Sequence, residues 1–95
     1  MTAITELVEI FTDIRDKETM EKLFQEIFTE KELKDVSLRW ELLKELHEGL
    51  TQRKIASNHR ISLCKITRGS KILKNDNSII KKILIDKLGQ QKKRK

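Results

Sequence analysis

Residues 51–70 read TQRKIASNHRISLCKITRGS, an order of side chains that fits two short helices set in tandem. Thr51 suits a helix N-cap, where its hydroxyl can accept from an orphan backbone N–H of the first turn. Ile55 and Ala56 then supply an inward face. Asn58, His59 and Arg60 make a tight turn in which Asn58 is the residue suited to left-handed backbone, and Ser62 caps the helix that follows. Small Ala56 lets the two helices cross closely, while Ile61 and Ile66 fill the angle between them. This is the arrangement of a helix-turn-helix, expected over about residues 52–75.

The positions left facing outward carry the chemistry. On the second helix they are Ser62, Cys64, Lys65, Thr67, Arg68 and Lys71, short side chains that permit close approach beside cations that neutralise phosphate. The first helix adds Gln52 and Arg53 at its N-terminus, where backbone N–H groups also favour an anion. These residues make double-stranded DNA the expected partner. An ordinary helical hairpin with a wet basic face satisfies the same spacing. Cys64, near a helix start and beside Lys65, reads either as an ionisable redox thiol or, more simply, as a small residue facing a groove.

Upstream, Ile4, Leu7, Val8, Phe11 and Ile14 share one helical face, and Met20, Leu23, Phe24, Ile27 and Phe28 share another. Thr29 and Glu32 have the spacing of a capping box, which starts a third helix with the stripe Leu33, Val36, Trp40, Leu43 and Leu46 before Gly49 ends it. A last helix is expected to begin near Asn77, with Ile79, Ile80, Ile83, Leu84 and Leu88 on one face. The fold class is therefore all-α with six helices. One helical domain is expected over residues 1–91, followed by a basic tail at 92–95.

With 95 residues, the chain buries a modest fraction of its surface, so a second copy is the natural source of further core and a homodimer is expected. Charged residues make up 38% and hydrophobic ones 37%, but the latter recur at helical spacing, which argues for a folded chain. The net charge of +6, with Lys92, Lys93, Arg94 and Lys95 in a run, favours an anionic polymer over a bilayer surface. No stretch is apolar enough to span a membrane and no signal peptide is visible, so the expected location is the cytoplasm. Cys64 is alone, and with His47 and His59 it falls short of a metal-ligand set; no clustered nucleophile and base suggests an enzyme.

These residues resemble those of the bacterial tryptophan repressor family over roughly residues 27–74. The likeness lies in Phe28 and Thr29 opening the third helix, Arg39 within it, Gly49 ending it, Gln52 and Arg53 starting the tandem pair, and the run Ile66, Thr67, Arg68, Gly69 and Ser70. The resemblance implies a six-helix intertwined homodimer with a helix-turn-helix reading head in each chain. It also implies a corepressor pocket for L-tryptophan, with Arg39 and Arg68 stacking on the two faces of the indole and Arg68 holding the carboxylate. Backbone carbonyls of Glu26 and Phe28 from the other chain would accept from the ammonium, and Thr29 and Gly69 would line the site. Ile72 also borders it, where many relatives have a serine, and Lys65 stands where many have a phosphate-binding threonine.

The function expected is a DNA-binding transcriptional repressor of tryptophan biosynthesis or uptake genes. The alternatives are a family member that binds DNA without tryptophan or with another effector, for which Ile72 is the reason, and a basic helical protein-interaction module. For Arg39 the competing reading is an intrahelical ion pair with Asp35.

Overall fold

The computed structural model describes residues 2–89. Among them are six helices and no strand: α1 (Ala3–Asp13), α2 (Lys17–Ile27), α3 (Glu30–His47), α4 (Gln52–His59), α5 (Leu63–Lys74) and α6 (Ile79–Leu88). The all-α class holds. The basic tail at 92–95 lies outside the described residues.

Side-chain caps account for most of the helix starts. Thr2 accepts from the N–H of Thr5 at 3.2 Å, Thr51 from that of Lys54 at 3.1 Å and Ser78 from that of Lys81 at 3.1 Å. The expected capping box forms: Glu32 accepts from the Thr29 N–H at 2.9 Å and Thr29 from the Glu32 N–H at 3.1 Å. Asp16 caps α2, and its carboxyl is held below the ordinary value by the Thr19 hydroxyl and then by the Thr19 N–H. Its contribution is complete above the ordinary carboxylate range and is lost as pH falls through the lowered value.

The chain forms two compact units that divide after Asp35. In the first, Phe11 and Phe24 lie 5.8 Å apart between ring centres, and Phe24 meets Phe28 edge to face at 5.3 Å. No residue of α1 or α2 is buried, and Ile4 is 70% exposed.

The second unit holds the core. Leu42, Leu43 and Leu46 of α3 meet Ile55 of α4, Ile66 and Leu73 of α5 and Leu84 of α6, with Trp40, Ala56, Ile61, Ile72 and Ile80 packed against them. Leu46, Ile55, Ile66 and Leu84 are fully buried, each stabilising the fold by about 1.5–3 kcal/mol before the entropy of ordering is subtracted. The α3 stripe differs from expectation at three positions: Leu42 and His47 are buried, and Val36 is exposed. In α6, Leu84 turns inward and Ile80 packs on the core, whereas Ile79 and Leu88 stay exposed. This helix begins at Ile79 after the Ser78 cap. Among the described residues no helix is long and apolar enough to cross a membrane.

The turn between α4 and α5 also departs from expectation. Asn58 and His59 are helical, and Arg60 takes the left-handed conformation at φ 55° and ψ 47°. The reason is tertiary. His59 Nε2 lies 2.9 Å from both carboxylate oxygens of Glu45 on α3, which keeps the last turn of α4 wound and moves the reversal to the next residue. A left-handed non-glycine residue costs about 1–2 kcal/mol, and glycine returns roughly 0.5–1 kcal/mol of that as unfolded-state entropy. Arg60→Gly should therefore raise stability by about 0.5–1 kcal/mol, read as a higher urea midpoint at unchanged slope; a lower midpoint would show that the arginine side chain holds the turn.

Candidate nucleic-acid interface and ligand site

α5 divides cleanly by face. Ile66, Ser70 and Leu73 are buried and Gly69 is half-buried, while Cys64, Thr67, Arg68 and Lys71 are exposed. The exposed four are spaced i, i+3, i+4 and i+7, so they form one stripe along the side of α5 that the core does not use. Lys65 and Ser62 are exposed beside it. The stripe carries two cations, and no acidic residue occurs in α4 or α5.

The start of α4 belongs to the same surface. The Thr67 hydroxyl donates to the Leu63 carbonyl at 2.9 Å and lies 3.4 Å from the side-chain oxygen of Gln52, so Gln52 stands against the middle of α5. Gln52 is half-buried, and Arg53 is exposed. Ser62 has the extended backbone of an N-cap, but its side chain makes no cap hydrogen bond. The first N–H groups of α5 thus lack the side-chain acceptor expected from Ser62, leaving them suited to an outside anion. All eight residues expected at a DNA surface therefore lie on the α4 start or on α5 and its cap.

The residues expected to hold a ligand fall into two sets. Arg39, Arg68, Gly69 and Ile72 are in the second unit, and Glu26, Phe28 and Thr29 in the first. Gly69 is where α5 meets α3: a Cβ built there would lie 3.3 Å from Leu46 Cδ1 and 3.4 Å from Leu43 Cδ2. Arg39 precedes Leu43 by four residues and Leu46 by seven, so it shares their side of α3, about 6 Å further along the axis from Leu43. Arg39 and Arg68 are both exposed, one on each of the two helices that meet at Gly69. Ile72 is half-buried against the core. Among the described residues the ion pairs are Lys17 with Glu21, His59 with Glu45 and Lys81 with Asp76, so the competing reading of Arg39 as paired with Asp35 is not formed.

In the first unit, α2 stops at Ile27, so the Glu26 carbonyl falls in a last turn, where helical carbonyls lack intrahelical donors. Thr29 is occupied by its capping box. An open groove in this unit is lined by Met20, Phe24 and Leu33 with Glu26 at its wall. Cys64 is an exposed free thiol, and no group of three potential metal ligands occurs among the described residues.

Two histidines have structural work that local spacing did not assign. His47 is 3% exposed, and its Nε2 donates to the Gly89 carbonyl at 2.7 Å. It sits four residues after Leu43 on the inward stripe, a signal present in the sequence. The His59 contact with Glu45 spans 14 residues and has no such signal.

The described residues form a small helical protein whose α5 bears an exposed stripe with two cations. The profile of the family described as Trp repressor protein matches residues 2–88. The chain is 37% identical over 81 residues to the Trp operon repressor homologs of Chlamydia trachomatis serovar L2 and serovar D, a match covering 80% of this chain and 86% of each relative. No solved structure matches. The chain belongs to the Trp repressor family, a family of regulators, and its role is that of a repressor.

The α3 and α5 contact yields a stability prediction. A methyl group at residue 69 meets Leu43 and Leu46, which are 6% and 1% exposed and have little room to give. Gly69→Val should cost about 1–3 kcal/mol in urea unfolding. Gly69→Ala should cost less, because the gain in helix propensity, about 1 kcal/mol, offsets part of the crowding. A neutral valine variant would mean that the two helices separate freely.

Proposed function

We propose that this protein is a DNA-binding transcriptional repressor that acts as a homodimer and takes L-tryptophan as corepressor to control tryptophan biosynthesis or uptake genes. The observation that carries DNA binding is the stripe Cys64, Thr67, Arg68 and Lys71, standing opposite the buried face of α5 and joined to the α4 start through Thr67 and Gln52. In this reading α4 and α5 form the helix-turn-helix, α5 enters the major groove, and Gln52, Arg53, Lys65 and Lys71 hold the backbone.

Homodimer formation is supported by the first unit, where Ile4, Val8 and Ile10 remain exposed and neither α1 nor α2 buries a residue. A second copy of the same apolar faces removes them from water, as an isologous contact does. Dilution should then lead to unfolding rather than to a folded monomer, and sedimentation should find a dimer mass. A compact stable monomer would overturn this.

Ligand binding is supported by two exposed arginines, Arg39 on α3 and Arg68 on α5, the helices that meet at Gly69. Their guanidinium planes are suited to the two faces of an indole, and Arg68 also to the carboxylate. The carbonyls of Glu26 and Phe28, with Thr29, would come from the partner subunit. Fixing α5 against α3 through the ligand then favours one setting of both reading heads, which is how differential affinity shifts a population. Ile72 supports a second reading, in which the effector is other than tryptophan or is dispensable: its apolar side chain packs on the core and offers nothing to an ammonium group.

Calorimetric titration with L-tryptophan separates the two readings. Arg39→Ala should weaken binding and leave the salt-dependent affinity for nonspecific DNA nearly unchanged. Arg68→Ala should abolish tryptophan binding and also lower ligand-free DNA affinity. Absence of heat at millimolar tryptophan in the unmodified protein selects the second reading.

A further inference from the structure

Among the described residues Arg60 alone has a positive φ without being glycine. The fold around it sets that conformation. The N–H groups of Arg60 and Ile61 both donate to the Ala56 carbonyl, and His59 ties the end of α4 to Glu45 on α3. The reversal needs a left-handed residue here, which glycine supplies without the Cβ penalty that arginine carries. The arginine side chain gives the fold no polar contact in return. It is exposed, and among the described residues it makes no ion pair and no hydrogen bond. Both carboxylate oxygens of Glu45 are engaged by His59, and neither α4 nor α5 carries an acidic residue. A strained residue whose charge is unused inside the fold has its use outside it.

Beside Arg60 lies the part of α5 that stands clear of the core. Ser62, Leu63, Cys64 and Lys65 are all exposed, Leu63 at 46%, and Ile66 is the first residue of α5 to be buried. Four consecutive positions span a whole helical turn, so the first turn of α5 projects with every side free. A helix with its side chains is about 10–12 Å across and the DNA major groove about 12 Å wide, with a phosphate backbone along each edge. Arg60 precedes Ser62 by two residues, which keeps their Cα atoms within about 7 Å. With the projecting turn in the groove, a cation at its root is next to the phosphates that edge it.

We propose that Arg60 is a phosphate-binding residue at the root of the projecting turn of α5, kept in the left-handed position for its charge at the expense of stability. The proposal rests on the DNA-binding reading above. Its test compares the full chain with Arg60→Lys, Arg60→Gln and Arg60→Gly on a random-sequence duplex of about 30 base pairs, across about 50 to 200 mM salt. Lysine and glutamine carry the same backbone strain and differ in charge, whereas glycine removes strain and charge together.

Arg60→Gln and Arg60→Gly should both bind several-fold more weakly, with a log–log salt slope shallower by about 0.9 for each phosphate released, and Arg60→Lys should keep the slope of the unmodified chain. The glycine variant is then the more stable protein and the weaker binder. Unchanged slopes in the glutamine and glycine variants overturn the proposal. So does a loss confined to glycine, which would trace to the shape of the turn, and so does a lower urea midpoint for Arg60→Gln than for Arg60→Lys, which would show the guanidinium at work inside the fold. Failure of the unmodified chain to bind duplex at any salt overturns the DNA-binding reading itself.

Discussion

The closeness with which α5 lies against α3 at Gly69 constrains the core of the second unit. A side chain there would meet Leu43 and Leu46, and those two leucines are also the inner lining on which Ile55, Ile66 and Leu84 close. The residue before Gly69, Arg68, is exposed together with Cys64, Thr67 and Lys71 on the side of α5 that the core does not use. The cost of the close approach is a glycine inside a helix, roughly 0.5–1 kcal/mol against alanine, which the close packing around it offsets.

The first unit obeys another constraint. Its aromatic cluster of Phe11, Phe24 and Phe28 orders it locally, but no residue of α1 or α2 is buried. Helices of this length are marginal alone in water, and their stability comes from burying an apolar face. The faces carrying Ile4 and Val8 are left exposed, so the packing within one chain does not supply that burial.

Much of this is legible in the sequence because it is local. Caps at Thr29 and Thr51, the glycine after α3 and the 3.6-residue spacing in α5 concern neighbours within one or two turns, and each forms as its spacing implies. Contacts of longer range are not legible. The left-handed residue is Arg60 rather than Asn58 because His59 is tied to Glu45, and no local propensity reports a partner 14 residues away. Ser62 has the identity of a capping side chain, yet makes no such bond. The spacing of Arg39 to Asp35 suits an ion pair, and none forms among the described residues; exposed pairs of that kind gain little against the entropy of holding two long side chains.

The two histidine ties bear differently on the reading surface. His59 joins the end of α4 to α3 through Glu45, so it sets the height at which α4 stops and α5 begins. His47 joins the end of α3 to the end of α6 through Gly89. Between them they fasten α4 and α6 to one helix, α3, while α5 is held by close packing at Gly69 and by the Gln52 and Thr67 approach. The element that carries the exposed stripe is seated by packing, through Ile66 and Leu73 in the core and Gly69 against Leu43 and Leu46.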